Sequence, residues 1–189
     1  EYVGRAKEIQ KAQKAIESGE CAGKAVPEVA EIMGVVKKKF PEASHENMGF
    51  GSTIFAVKPG DGSAREQAAS CQRVIGGLAN IVHEYATKRY RSNVMNWGMV
   101  PFQMEAEPSF EVGDYVFVPG IRAALDGDLK DIAAYVVRAD GAVEQIELYH
   151  LHHVESHKKI LLVSEFNAFV AHHAAIECTF VGKSLLCHS

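Results

Sequence analysis

A mixed α/β architecture in a single unit is what this sequence predicts, and three stretches carry the prediction. Val3, Ala6, Ile9, Ala12, Gln13 and Ile16 recur at threes and fours, the spacing of a helix with one buried face. Thr53 to Val57 is a short apolar run rich in β-formers, and a Gly-rich loop and a helical pattern follow it at once. From Gly113 onward the texture turns to β, with strands expected at Tyr115–Val118, Ile132–Val137 and Val143–Leu148.

In chain order, the first helix should stop at Gly19, and the stretch to Ala25 reads as a polar loop. A second helix opens at Pro27, whose fixed φ suits a first turn, and runs through Val29, Ile32, Met33 and Val36. It ends in Lys37-Lys38-Lys39, at the negative end of the helix dipole, before Pro41 breaks it. That lysine run is a solvated helix end rather than a binding patch. After the Thr53–Val57 strand come the loop Pro59-Gly60-Asp61-Gly62-Ser63 and a helix from Ala64 to Val74. Gly76-Gly77 ends that helix, Leu78–Val82 is a second strand, and Tyr85–Asn96 returns to a helical pattern. Asp140-Gly141 is a tight-turn signal between the last two strands. A final amphipathic helix is expected over Val154–Val170, and Ala171 to Ser189 has no clear pattern.

At 189 residues the chain has room for one domain with a real core. It is 47% hydrophobic and 23% charged with net charge −4, which gives no reason to expect nucleic acid or an anionic membrane as partner. No apolar run approaches the ~20 residues of a membrane span, and no secretory signal opens the chain. The chain begins mid-pattern at Glu1-Tyr2-Val3, as expected of a piece of something longer. Cys21, Cys71, Cys178 and Cys187 are scattered, without the close spacing of a zinc or iron–sulfur site. They read as ordinary thiols of a reducing compartment, the cytoplasm or an organelle matrix, without disulfides.

The chemistry concentrates at Val57 to Ala69. A loop with Gly60 and Gly62 leading into a helix offers backbone N–H groups at the positive helix end, a place for an anion. Arg65 in the first turn is a planar, bidentate carboxylate binder. Cationic charge there opposes the helix dipole, so its presence hints at function. Ser63 has a plain reading as the N-cap of the helix. Its other reading is a base, which requires nearby positive charge and donors to stabilise the alkoxide. No Lys precedes Ser63, so this is not a Walker-type phosphate loop.

Gly60-Asp61-Gly62-Ser63-Ala64-Arg65-Glu66-Gln67-Ala68-Ala69 resembles the Gly-x-Gly-Ser-Ser-Arg-Glu-His-Ala-Ala signature of the aconitase family. Arg73-Val74-Ile75-Gly76-Gly77-Leu78-Ala79 is similar to that family's Arg-x-Leu-Gly-Gly-Arg-Ala segment. Asn93 through Gly98 to Pro101 is similar to its Asn-Leu-x-x-x-Gly-Leu-Leu-Pro-Leu stretch. The wording Arg91 to Met99 resembles aconitase-like hydratases of bacteria more than mitochondrial aconitase. The likeness covers about residues 51–170, leaving a helical segment at 1–50 and a tail at 171–189.

The resemblance implies a C-terminal swivelling β/β/α-type domain, a mixed sheet or partial barrel flanked by helices. It implies that Ser63 is the proton-abstracting base and that Arg65 grips a substrate carboxylate, with Gly62 and Ala64 as further substrate-binding positions. Ala64 and Gln67 replace the family's second serine and its histidine, so position 64 offers no hydroxyl. The implied reaction is reversible dehydration of a hydroxy-polycarboxylic acid. A [4Fe–4S] cluster held by other domains, or by a partner subunit, serves as Lewis acid on the substrate hydroxyl, and this chain binds no metal itself. The implied partners are the cluster-bearing domains and a small di- or tricarboxylate. Alternatives are a separate small subunit of the isopropylmalate-isomerase type and a non-catalytic anion-binding module.

Arg89 and Arg91, beside Lys88, read as a solvated helix face, with contact to substrate or partner domains as the alternative. Trp97, Met95, Met99 and Phe102 read as packing. His150, His152, His153 and His157 form a cluster without an Asp or Cys neighbour, taken as incidental, as is His172-His173.

Overall fold

The computed structural model describes residues 2–44, 48–126, 131–150, 168–173, 178–181 and 184–187. The chain opens with α1 (Tyr2–Glu17), which buries Ala6, Ile9, Ala12 and Gln13, the periodic face of the sequence. Gly19 at φ 79° ends it: Gly19 N–H reaches Ile16 O at 2.9 Å and Glu20 N–H reaches Ala15 O at 2.7 Å, the paired bonds of a Schellman cap. Within the expected polar loop lies one short helix, α2 (Ala22–Ala25), too brief for a periodic signal. Next comes α3 (Pro27–Lys39), with Pro27 at its start, Val29, Ile32, Met33 and Val36 buried, and the lysines in its last turn.

Six strands form a mixed sheet in the order β1-β2-β3-β6-β5-β4, flanked by helices. They are β1 (Met48–Ala56), β2 (Gly77–Val82), β3 (Val100–Gln103), β4 (Tyr115–Val118), β5 (Asp131–Val137) and β6 (Val143–His150). The β1–β2–β3 half is parallel and the β6–β5–β4 half antiparallel. A seventh strand, β7 (Ala168–His173), pairs in parallel with β1 and antiparallel with β4, so the two edges of the sheet are joined through it into a barrel. A separate hairpin, β8 (Cys178–Val181) with β9 (Ser184–Cys187), lies in the stretch that has no clear sequence pattern.

Helices α4 (Arg65–Val74) and α5 (Lys88–Asn96) are the connections β1–α4–β2 and β2–α5–β3 that parallel pairing demands. A short α6 (Ile121–Asp126) follows β4. The core divides into three. One cluster fills the inner face of the sheet, including Ile81, Phe102, Val116, Val118, Ala134 and Leu148. A second packs α1 and α3 against Met48, Phe50, Tyr115 and Phe117. The third packs α4 and α5 against Ala56 and Val82. Strand β1 is thus covered on both faces, which explains its unbroken apolar run.

The departures from expectation have local causes. β1 starts at Met48, ahead of the expected Thr53, because Gly49 and Gly51 dilute the β signal. Gly51 belongs there because a Cβ would lie 2.4 Å from Gly76 O and 2.5 Å from Leu78 Cγ. Tyr85 and Ala86 precede α5 rather than joining it, since Thr87 caps the helix by accepting the Tyr90 N–H. Strand β3 escaped the sequence reading because Pro101 sits within it. Of the helix expected over Val154–Val170, residues 154–167 lie outside the described residues; Ala168–Val170 form part of β7 instead.

Candidate functional site

The loop at 57–64 leaves the C-terminal end of β1, beside the loop that leaves β2. In parallel sheets these ends gather the groups that meet a ligand. Glu84 N–H bonds Val57 O at 3.0 Å and Ala86 N–H bonds Pro59 O at 3.0 Å, so the two loops run side by side. Lys58 and Glu84 pair at 2.7 Å, though both are exposed and the pair contributes little. Gly60 takes φ 99° and lies flat against Tyr90: a Cβ there would come within 2.5 Å of Tyr90 Cβ. Thr87 Oγ1 donates to Gly60 O at 3.1 Å and fixes the carbonyl on the other side of the same residue.

Ser63 is exposed, and among the described residues its hydroxyl has no hydrogen-bond partner. It is not the helix cap. Ala64 occupies the N-cap position of α4, at φ −88° and ψ 49°, with no side-chain cap bond. The N-terminal amides of α4 are therefore left without a capping hydroxyl, and Ser63 is left without the structural task that its plain reading assigns. Arg65, the first residue of α4, is partly buried. Its Nη2 lies 3.5 Å from Asp61 O, at the limit of a hydrogen bond, and among the described residues its buried Nε has no partner. A buried guanidinium nitrogen without an acceptor is costly, and a carboxylate arriving edge-on would supply one. Gly62 is partly exposed and Ala64 exposed, so both border the same open junction.

At the far end of α4, Arg73 donates through Nη1 to Gly77 O at 3.0 Å, and burial lowers its pKa from the ordinary value. It clamps the Gly76-Gly77 turn, with Gly76 at φ 91°. Beneath the site lies a polar hub that sequence reasoning missed. Tyr90 OH receives Gln72 Nε2 at 3.0 Å and Asn80 Nδ2 at 3.1 Å, and Asn80 is fully buried. His83 was missed as well. Its Nδ1 donates to Met104 O at 2.7 Å, and its Nε2 lies 3.8 Å from Glu107 Oε2. The only hint in the sequence was a histidine directly after an apolar strand.

Of the other candidates, Met95, Met99 and Phe102 are core, while Trp97 is 37% exposed. Arg89 is exposed; Arg91 is partly buried, and its buried Nε has no partner among the described residues. His152, His153 and His157 lie outside the described residues. His150 ends β6, and His172 and His173 end β7.

Among the described residues no three His, Cys, Asp or Glu side chains converge as metal ligands, and Cys21 and Cys71 are exposed free thiols. No helix of the described residues is long and apolar enough to cross a membrane. The chain matches no protein-family model, and it has no significant match among curated proteins.

Proposed function

We propose that the chain is the swivelling lid domain of an iron–sulfur hydro-lyase that reversibly dehydrates a hydroxy-polycarboxylic acid. The observation that carries the reading is the junction at the start of α4. There an exposed Ser63, unbonded among the described residues, stands two residues before a partly buried Arg65 whose Nε lacks an acceptor among them. In this reading the cluster-bearing domains, in the same protein or a separate subunit, contribute a [4Fe–4S] centre whose Lewis acidity acts on the substrate hydroxyl.

This chain's part is proton transfer and grip. Arg65 holds one carboxylate of a di- or tricarboxylate through a forked pair of N–H groups. That places the carbon next to the carboxylate against Ser63. Ser63 takes the proton as alkoxide and returns it in the hydration direction. The uncapped amides of α4 and the Arg65 charge lower the cost of the alkoxide. Gly62 and Ala64, small and open, let the substrate approach the backbone. The setting is the cytoplasm or an organelle matrix.

A second reading, an anion-binding module without catalysis, draws on Ala64 and Gln67, which remove a hydroxyl and an imidazole from the motif. The deciding experiment joins this chain to its cluster-bearing domains, reconstituted anaerobically, and follows interconversion of citrate and aconitate with Ser63 or Ala at position 63. Activity that needs both parts and disappears in Ser63→Ala supports the hydro-lyase. Citrate binding that depends on Arg65, with no turnover of any tricarboxylate or malate-type acid, supports the module.

A further inference from the structure

We propose that Tyr90 is the positioning residue of the Ser63–Arg65 junction; the inference rests on reading that junction as the catalytic site. Tyr90 is 2% exposed and sits in the first turn of α5, away from solvent and substrate. It touches three separate parts of the unit that carries Ser63 and Arg65. Its ring backs Gly60, three residues before Ser63, so closely that no side chain fits between them. Its hydroxyl is bonded by Gln72, in the last turn of the helix that Arg65 begins. The same hydroxyl is bonded by Asn80, buried in the middle of β2 beneath that helix.

Thr87 completes the clasp. Its hydroxyl donates to Gly60 O while accepting the Tyr90 N–H, so the cap of α5 and the entrance of the loop share one oxygen. The entrance to the loop and the end of α4 are therefore tied to one aromatic side chain. Among the described residues the Ser63 hydroxyl has no tie, so its position is inherited from these anchors. A serine base tolerates little displacement from the carbon it deprotonates, whereas a long arginine side chain can follow a shifted carboxylate. Loosening the clasp should therefore slow the chemical step more than it weakens substrate binding.

The test is Tyr90→Phe, which keeps the ring against Gly60 and deletes the hydroxyl. In the enzyme assembled with its cluster-bearing domains, kcat for citrate should fall about tenfold or more while KM changes less than about twofold. In the chain alone, amide hydrogen exchange at residues 61–65 should accelerate while that of α1 and α3 stays as in the wild type. Unchanged kcat together with unchanged exchange overturns the proposal, as does a rise in KM at constant kcat. If Tyr90→Phe does not fold, Thr87→Val and Thr87→Ser decide. The valine should lower kcat and the serine restore it, and equal activity in the two counts against the clasp. If the wild-type assembly has no activity, the hydro-lyase reading fails, and the exchange measurement alone still tests whether Tyr90 fixes the loop.

Discussion

The side-chain carbonyl of Gln13 accepts the Phe50 N–H at 2.9 Å, a buried bond that joins α1 to β1 across 37 residues of sequence. It is one of few polar contacts within an otherwise apolar layer between the N-terminal helices and the sheet. Gln13→Leu keeps the volume and deletes the acceptor. We expect a loss of about 1–3 kcal/mol, read as a lower urea midpoint with an unchanged slope. A midpoint equal to the wild type would mean that the layer is held by apolar contact alone.

Ser63→Ala should leave stability within about 0.5 kcal/mol, because the side chain is exposed and unbonded. In the assembled enzyme the same change should cost about 10²-fold or more in kcat. Thermal melting and turnover, measured on one preparation, separate the two effects.

Arg65→Lys preserves the charge but not the fork. Citrate KM should rise by about tenfold, with melting unchanged. Equal KM for the two variants would remove Arg65 from the carboxylate site.

Arg138 ties the segment before β4 to the β5–β6 hairpin. Its Nη2 donates to Glu144 Oε2 at 2.8 Å and to Ser109 O at 2.6 Å, and Nε lies 3.6 Å from Asp114. The hydrogen bond from Arg138, and then one involving Ser109, hold the Glu144 carboxyl below its ordinary pKa. A depressed carboxylate contributes stability above its unfolded value of about 4.3 and loses it as pH falls through the lower folded value. Carboxyl-detected NMR titration should show Glu144 moving back up in Arg138→Gln. Identical titrations would mean that the contact is not made in solution.

Burial raises the Tyr85 hydroxyl well above its ordinary pKa, and burial followed by the Glu28 charge raises Tyr115. The folded state thus favours the neutral phenols. Their contribution is full below the unfolded value of about 10 and declines as pH rises above it. Ultraviolet titration should show at least two tyrosines that ionise only as the chain unfolds. Ionisation of all six near pH 10 in the folded state would contradict the buried placement.

The helices with one clean apolar face, α1 and α3, were legible to within a residue or two, as were β4 and the hairpin around Asp140-Gly141. Each carries its own start and stop signals, from Gly19 and Pro27 to the turn at Gly141. The misses lie where tertiary contact decides. β3 contains a proline and is held by its parallel neighbour β2. The Ala168–Val170 stretch is short and apolar, a pattern that reads equally as helix or strand until a partner is present. At the site, the motif pointed to Ser63, Arg65, Gly62 and Ala64, but the capping role for Ser63 was wrong because the helix starts one residue later than that reading requires. The Tyr90 hub had no signature, since Gln72 and Asn80 meet Tyr90 only through the packing of α4 and β2 beneath α5.

The pairing of β7 with both β1 and β4 has a consequence for biosynthesis. A chain emerging from the ribosome can assemble the strands up to His150 while Ala168–His173 is still in the tunnel or untranslated. At ordinary translation speeds that interval lasts on the order of seconds. Throughout it the outer backbone groups of β1 and β4 stand unpaired, and such edges template association between neighbouring nascent chains. The late arrival of one six-residue strand therefore sets the window in which this protein most needs to be kept apart from its own copies.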